Sequence, residues 1–423
     1  MRMLKTGLLN FISVLVKVIT GLFLNKIMAL YVGPAGYALV SQFQNGINFI
    51  TTFASGAINT GVTKYTAEYA NDKGKTSDLF KCITLLAITC CSFFSLTIIV
   101  FSEYFSLKLL GTINYSGVIK WFAATLFLFV ANSILVSIIN GLKEFKLYVL
   151  INIFGSLFSL LFSGILIYFF NLKGALIAFA TNQSIVFFMT FYLIISKKMV
   201  SLKSFIGMPS DFYFIKKLIQ YALMAIVSAF CVIYMQIIIR TYIANHFGWV
   251  QAGIWDGVWR ISSLYLMLVT VPLGVYYLPR LAELHTKSLL LREIKQGYLF
   301  LLPIIIISAI IIYYLRYFII ELLFSKSFVS MGDIIGWQLL GDIFKIGSWL
   351  LSYIMLSKAL TKTYIITEIT TALLFLGGVH YLSPLYGLKG VTLAYCITYF
   401  CYWIMMIVVI ISYFKGNFRN ESL

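Results

Sequence analysis

Ionisable side chains inside long apolar stretches are the residues of this sequence best placed to do chemistry. Six are basic: Lys17, Lys26, Lys64, Arg240, Arg260 and Lys345. Only three acids accompany them: Asp256, Asp342 and Glu368. A charge inside an apolar segment is costly and usually faces a water-filled cavity or an oppositely charged partner. The excess of cations therefore predicts a site that binds an anionic cargo by electrostatic attraction.

Lys26 and Arg240 make the sharpest case among these cations. They precede the first glycines of two turns, Gly33 in 32–37 and Gly248 in 247–254, by seven and eight residues. These equivalent positions place the two cations at matching depths, and neither has an acid within one helical turn. Together with Arg260 they form the predicted cationic patch. Snorkelling of the long side chains to the membrane interface is the alternative. Lys17 ranks lower, because it lies on the face of its helix opposite Lys26.

Two other basic residues have local alternatives. Lys64 lies near the end of its segment, where it would line the cavity, snorkel, or pair with Glu68 at i+4. Lys345 follows Asp342 by three residues, so this pair would either line the cavity or compensate its own charge within one helix.

The remaining two acids carry different predictions. Asp256 precedes Arg260 by four residues, which makes it a cavity-lining residue or the partner of a structural pair. Glu368 stands alone near the predicted cytoplasmic side, and it is a candidate for proton coupling.

A stripe of neutral polar residues lies on one face of an early segment. Its members alternate spacings of four and three: Ser41, Asn45, Asn48, Thr52, Ser55 and Asn59. That spacing places all six on one side of an α-helix, and hydrogen-bonding groups in hydrocarbon need water or partners. The stripe therefore predicts a wet cavity lined by Asn45, Asn48, Thr52 and Asn59. Sparser stripes, one with Gln236 and Arg240 and one with Asp256 and Arg260, mark two later segments as further cavity walls.

The elements that must position these residues are membrane-spanning helices. The chain has 423 residues, of which 61% are hydrophobic and 11% charged, and this composition is typical of an integral membrane protein. Apolar runs long enough for a bilayer predict twelve spans. These lie near 7–31, 37–65, 79–101, 118–139, 147–169, 174–195, 215–243, 250–278, 296–315, 331–357, 363–382 and 388–413.

Basic residues set the orientation of these spans. Of the 32 Lys and Arg, six lie deep within spans, twenty lie in loops, termini and adjoining span ends on the side of the N-terminus, and six lie likewise on the other side. Because cytoplasmic loops retain positive charge, both termini are predicted to be cytoplasmic. The net charge of +18 then reflects membrane topology, and we expect no nucleic-acid partner.

The chain has a weak twofold repeat. The turns at 32–37 and 247–254 are related by an offset of 215 residues, and Ala67-Glu68 recurs as Ala282-Glu283 at the same offset. Six spans per half give the parallel-repeat arrangement found in transporters. We therefore predict an all-α membrane protein with two pseudo-twofold-related six-helix bundles around a central cavity. The expected domains are residues 1–200, a cytoplasmic linker at 201–214, and residues 215–423.

Catalytic and metal chemistry find little support in the sequence. The six cysteines lie in or beside apolar spans without metal-ligand spacing, and the three histidines, His246, His285 and His380, are scattered. The predicted outer loops, 102–117 and 316–330, contain one acidic residue each, Glu103 and Glu321. We expect no metal, no cofactor and no enzymatic activity.

Three motifs resemble those of a known transporter family. They are the turn Gly33-Pro34-Ala35-Gly36, the segment Gly61-Val62-Thr63-Lys64-Tyr65, and the stretch from Trp337 to Lys345, WQLLGDIFK. Together they are similar to those of Wzx-type lipid-linked oligosaccharide flippases, within the multidrug/oligosaccharidyl-lipid/polysaccharide exporter superfamily. The resemblance covers essentially the whole chain and is greatest to the branch that moves the enterobacterial common antigen unit.

The resemblance implies a function and a setting. The expected cargo is an undecaprenyl-pyrophosphate-linked glycan, moved from the cytoplasmic to the periplasmic leaflet of a bacterial inner membrane by alternating access, for O-antigen or enterobacterial common antigen synthesis. Expected partners are this glycolipid, membrane lipids, a polysaccharide polymerase and a chain-length regulator, with the protein working as a monomer. A multidrug exporter of the same superfamily, or a membrane-bound polymerase or transferase, are the alternatives.

Overall fold

The computed structural model describes residues 2–197, 199, 201–209, 213–273, 277, 280, 281, 284, 286–358 and 360–417. Within these ranges every regular element is a helix, so the predicted all-α class is confirmed. The chain folds as two compact units, Met1–Ile237 and Ile238–Leu423.

The first unit is built from eight α-helices and the start of a ninth. They are α1 (Arg2–Tyr31), α2 (Gly33–Ala54), α3 (Asn59–Glu68), α4 (Lys73–Val100), α5 (Ser102–Leu110), α6 (Ser116–Gly141), α7 (Phe145–Ser196) and α8 (Tyr213–Ser228), and α9 (Met235–Phe247) begins in this unit and ends in the next. Within it α1 and α6 pack along α7, and α2 packs on α4 and α7. A π-helical segment, Ala229–Tyr234, connects α8 to α9 and lies against α2.

Six more α-helices are described in the second unit. They are α10 (Trp249–Pro272), α11 (Lys287–Tyr314), α12 (Arg316–Leu323), α13 (Ile335–Ser357), α14 (Thr361–Tyr386) and α15 (Leu388–Asn417). α13 and α14 both pack along α15, and α11 packs on α13. Leu350, Ile354, Tyr402 and Met406 lie at the centre of this packing and are almost fully buried.

The boundary between the two units differs from the predicted linker. The sequence placed it at 201–214, whereas the compact units divide at Ile237 and Ile238. The reason is that α8, assigned by sequence to the second half, packs on α3 and α4 of the first. Residues 202–205 form a short 3-10 helix against α4, and Phe205 stacks on Phe80 with ring centroids 5.1 Å apart.

Nine helices within the described residues are long and apolar enough to cross a membrane. α7, with 52 residues, accounts for predicted spans 5 and 6, because its backbone leaves helical geometry at Asn171, where φ is 47°. Neither α2 nor α10 is among the nine, although they have 22 and 24 residues. These are predicted spans 2 and 8, the second helix of each half. Their polar residues lower the hydropathy, and their place at a cavity stays a prediction.

The second predicted span, 37–65, is not one continuous helix. α2 ends at Ala54 and α3 begins at Asn59. Between them Gly56 has a φ of 66° and Ala57 a φ of 55°, a left-handed conformation that costs little for glycine and more for alanine. The polar stripe is therefore interrupted after Ser55.

The predicted outer loops also contain helices. The segment 102–117 holds α5, which ends at Gly111 in the left-handed conformation common after a helix C-terminus. The segment 316–330 holds α12 and most of a 3-10 helix, Lys326–Asp333. The sequence reading missed both because they are too short to span a bilayer.

Candidate functional site

Arg240 and Asp256 form a buried, bidentate ion pair in the second unit. The Arg240 Nε donates to Asp256 Oδ2 at 2.6 Å, and Nη2 donates to Oδ1 at 2.5 Å. Both residues are almost fully buried, at 2% and 4% exposure. The prediction for Arg240 took into account acids only within one turn of the same helix and so treated it as a cation without an acidic partner. That expectation was wrong. Asp256 comes from α10, across the turn that follows α9.

Arg260 adds a second positive charge to this pair. It lies one turn beyond Asp256 on α10 and interacts electrostatically with that carboxylate. It is only partly buried. The predicted Asp256–Arg260 pair is therefore a three-residue group, Arg240, Asp256 and Arg260, with two cations and one anion. We call it the arginine triad, and its formal charge is +1.

The indole of Trp255 supports the triad. The Arg240 guanidinium carbon lies 5.7 Å from the Trp255 ring centroid, within the range of a cation–π contact. Trp255 is 1% exposed, and its Nε1 has no hydrogen-bond partner among the described residues. Sequence reasoning missed this residue because a tryptophan in an apolar segment carries no signal of its own.

The polar stripe on α2 is partly used within the first unit. Asn45 Nδ2 donates to Gln236 Oε1 at 2.9 Å, so the structure brings together two predicted cavity residues. Asn48 is exposed, and the Thr52 hydroxyl donates a hydrogen bond to the backbone carbonyl of Asn48 at 2.7 Å. The exposed part of the stripe is therefore centred on Asn48.

Asn59 does not continue this stripe. It lies on α3, beyond the break, and its Nδ2 donates to Ser133 Oγ of α6 at 2.8 Å. Ser55 is 1% exposed and donates to the carbonyl of Thr52. The prediction that six residues share one helical face was wrong for Asn59, because the left-handed turn at residues 56 and 57 starts a new helix.

The other predicted cations of the first unit lie in different environments. Lys26 is partly buried on α1, whereas Lys17 is exposed on the same helix. Lys64 is exposed on α3, and its Nζ lies 5.3 Å from the centroid of the Tyr65 ring. The roles of Lys26 and Lys64 in binding stay predictions.

Lys345 occupies an aromatic cage within the second unit. Its Nζ lies 5.0 to 5.6 Å from the centroids of four rings: Trp259, Trp349, Tyr395 and Tyr399. The cage explains how an ammonium group is tolerated among apolar helices, since aromatic faces attract cations. It also suits a structural role for Lys345 better than a cargo contact.

Asp342 is satisfied by hydroxyl groups. Its carboxylate accepts hydrogen bonds from Ser262 at 2.6 Å, from Tyr265 at 2.7 Å and from Tyr395 at 2.7 Å, and the residue is 0% exposed. Lys345 compensates the charge of Asp342 without a direct contact. It interacts electrostatically with Asp342 and Glu368, while its nearest neighbours are the aromatic rings of the cage. Glu368 is partly buried, and its proton-coupling role stays a prediction.

A second group of tyrosines and lysines, in the first unit, was not singled out from the sequence. Lys217 Nζ lies 4.6 Å from the centroid of the Tyr213 ring and 5.2 Å from that of Tyr65, and it donates to Tyr69 Oη at 3.1 Å. Sequence reasoning counted Lys217 only as topogenic charge. The spacing of Tyr65 and Tyr69, four residues apart on one helix face, was the available signal.

Within the described ranges, no group of three or more His, Cys, Asp or Glu side chains is placed to hold a metal ion. Some residues that the sequence analysis named lie outside these ranges: Ala282, Glu283 and His285.

Comparisons with known proteins give a consistent result. No known family profile matches the chain. It is 29% identical over 408 residues to the lipid III flippase of Escherichia coli K12, which covers 95% of this chain and 97% of that protein, and the same values hold for the lipid III flippase of Shigella flexneri.

Among solved structures, the chain is similar to an inward-facing multidrug resistance MATE family transporter of the MOP superfamily. The TM-score is 0.78 at 17% identity, with 96% of each chain covered. The resemblance drawn from the motifs is confirmed: over nearly its whole length the chain is similar in sequence to lipid III flippases, and its fold is similar to that of the MATE family transporter.

Proposed function

We propose that this protein is a flippase that moves an undecaprenyl-pyrophosphate-linked oligosaccharide from the cytoplasmic to the periplasmic leaflet of a bacterial inner membrane. The observation that carries the proposal is the 29% identity to lipid III flippases across 95% of the chain. Transport of this kind breaks no covalent bond. The protein has only to stabilise the head group in transit better than hydrocarbon does.

The arginine triad suits such a head group. A pyrophosphate carries negative charge on several oxygens, which a guanidinium binds through charge-assisted and bidentate hydrogen bonds. In the triad, Asp256 uses two donors of Arg240, which fixes the orientation of that side chain. Arg260 is the more exposed of the two cations. We assign Arg260 the contact with the cargo and Arg240 the role of positioning Asp256.

The polar stripe suits the glycan. Asn45, Asn48 and Thr52 offer neutral donors and acceptors along α2, and such groups exchange hydrogen bonds with sugar hydroxyls without demanding one stereochemistry. The lipid tail needs no polar contact and stays in the bilayer. We therefore assign α2 the contacts with the glycan.

A multidrug exporter is the second candidate, because the solved structure compared above carries that description. Exporters of organic cations need an anionic site, and the arginine triad has the opposite sign. A polymerase or transferase acting on the same glycan is not supported by any catalytic constellation within the described residues. We place the protein in the inner membrane, with both termini cytoplasmic, and with a polysaccharide polymerase and chain-length regulator as downstream partners.

Deletion of the gene in its host tests the proposal. The deletion strain should accumulate the undecaprenyl-pyrophosphate glycan and lose the corresponding surface polysaccharide, and the wild-type gene should reverse both. A gene with Arg260→Ala should reverse the deletion only weakly. Its matched control, Arg292→Ala at an exposed position of α11, should restore surface polysaccharide fully. An unchanged glycolipid pool combined with retained surface polysaccharide would exclude the flippase function, and a gain in sensitivity to organic cations alone would favour the exporter.

A further inference from the structure

Three lysines surround a pair of tyrosine rings at one end of the first unit. Tyr65 and Tyr69 are stacked on α3, with ring centroids 6.3 Å apart and planes 23° apart. Lys217, at the start of α8, lies over both rings, and Tyr213 closes the third side. In the predicted topology this end is cytoplasmic.

Two further ammonium groups lie at the edges of this pair. Lys64 Nζ is 5.3 Å from the Tyr65 centroid, and Lys75 Nζ is 5.7 Å from the Tyr69 centroid. Both side chains are exposed. We call these residues the lysine–tyrosine cluster: Lys64, Tyr65, Tyr69, Lys75, Tyr213 and Lys217.

Two acids lie beside the lysine–tyrosine cluster without cancelling its charge. Asp72 pairs with Lys75 at 3.5 Å, and the backbone N–H of Lys75 lowers the pKa of this carboxyl group. Glu68 lies one turn beyond Lys64 on α3. Three cations against two anions leave a formal charge of +1.

The backbone holds the lysine–tyrosine cluster in place. α3 packs closely on α6 at Gly141, where an added Cβ would lie 2.6 Å from the carbonyl oxygen of Thr63. The carbonyl of Tyr69 accepts hydrogen bonds from the Thr76 hydroxyl at 2.7 Å and from the backbone N–H of Asp72 at 2.9 Å. The backbone that carries Tyr65 and Tyr69 is therefore held in place before any ligand arrives.

Lysines and tyrosines together match one chemical class. Ammonium groups bind phosphate oxygens as point charges. The electron-rich face of an exposed tyrosine, here Tyr213 rather than the buried Tyr65, packs against the C–H bonds of a sugar ring. A sugar attached directly to a pyrophosphate presents both features side by side. We propose that the lysine–tyrosine cluster is a loading site that binds the sugar-pyrophosphate head group on the cytoplasmic side before translocation; this inference rests on the proposed flippase function.

Binding of a soluble probe tests the loading site. The probe is geranyl pyrophosphate linked to N-acetylglucosamine, its sugar-free counterpart is geranyl pyrophosphate, and both are titrated against the full-length protein in detergent. Lys217→Gln should weaken binding of both ligands about tenfold, because one charge-assisted contact is lost. Tyr213→Leu removes an exposed ring and should weaken only the sugar-bearing probe. Lys216→Gln, at the exposed neighbouring position, is the matched control and should bind both ligands as the wild type does.

The same variants in a vesicle flipping assay separate the two proposals. Lys217→Gln should raise the glycolipid concentration needed for half-maximal flipping about tenfold while the maximal rate is kept. If the wild type flips glycolipid but Lys217→Gln behaves like Lys216→Gln, or if phosphatidylglycerol displaces the probe as well as the glycolipid does, the loading site is refuted and the flippase function stands. A wild type that neither binds the probe nor flips the glycolipid overturns both.

Discussion

At the scale of single residues, the arginine triad shows why a cation in an apolar helix is ambiguous from sequence. Arg240 has no acid within a turn of its own helix, yet its closest partner is Asp256 of α10. Removing one member of a buried ion pair leaves an uncompensated charge, which costs about 3–5 kcal/mol. Loss of transport in an Arg240 variant therefore has two possible origins, and abundance has to be measured with it.

We expect Arg240→Ala to lower the amount of folded protein, because Asp256 is left buried without its bidentate partner. The double variant Arg240→Met with Asp256→Leu removes both charges and should restore most of the stability, since apolar replacement of a whole buried pair is often neutral. Thermal unfolding in detergent measures this. A double variant no more stable than Arg240→Ala would show that the pair is not what holds this region.

Arg260→Ala should behave differently. The side chain is only partly buried, so the protein should reach normal abundance, while glycan export falls about ten- to a hundredfold through the loss of one charge-assisted contact worth about 1.5–3 kcal/mol. Arg260→Lys should retain part of the activity, because the charge remains although the planar fork is lost. Export per unit of protein is the measurement, with Arg292→Ala as control. Wild-type export by Arg260→Ala would remove Arg260 from the binding site.

At the scale of helices, α2 and α10 are the elements that carry the proposed function. Both exceed the length of a membrane span, and both are too polar to be counted among the nine apolar helices of the described ranges. The break after Ala54 gives α2 an end within the predicted span. A polar helix with an end inside a predicted span is more easily tolerated beside water than beside lipid.

A cysteine at Asn48 should react readily with a small, charged, water-soluble thiol reagent, and a cysteine at Thr52 should react to a lesser degree. Cysteine at Ile47, which is 4% exposed on the opposite face of α2, should be protected. Labelling is measured as the increase over the wild-type protein, because native Cys401 is exposed. Equal protection at Asn48 and Ile47 would mean that the stripe is not in contact with water.

The sequence predicted the helices better than their ends and contacts. Within the described residues, each of the twelve apolar runs overlaps at least one helix, because bilayer thickness and backbone hydrogen bonding dictate both length and type. The break at residues 55–58 was missed, since Ser-Gly-Ala within an apolar run is compatible with a helix. The Arg240–Asp256 pair, the cage around Lys345 and the tyrosines around Lys217 were missed because each depends on packing between helices that sequence periodicity does not define.

At the scale of the whole molecule, the distribution of Lys and Arg predicts how the chain is threaded. Cysteines at Thr112, Ser325 and Leu388 should be labelled from outside intact cells, whereas cysteines at Asn71 and Ser204 should be labelled only after the membrane is opened. Asn420, beyond the described residues, belongs to the second group. Reversed labelling at two or more of these positions would overturn the predicted orientation, and with it the cytoplasmic location of the lysine–tyrosine cluster.

The most direct test of the central claim is transbilayer movement of the cargo itself. Purified protein is reconstituted in vesicles that carry undecaprenyl-pyrophosphate glycan, and the fraction of glycan open to a membrane-impermeant oxidant is followed over time. We predict that the inner-leaflet pool becomes accessible in vesicles with the wild-type protein and with Arg292→Ala, and much more slowly with Arg260→Ala. Accessibility that stays at the level of protein-free vesicles, with well-folded wild-type protein present, would contradict the claim that this protein is a flippase.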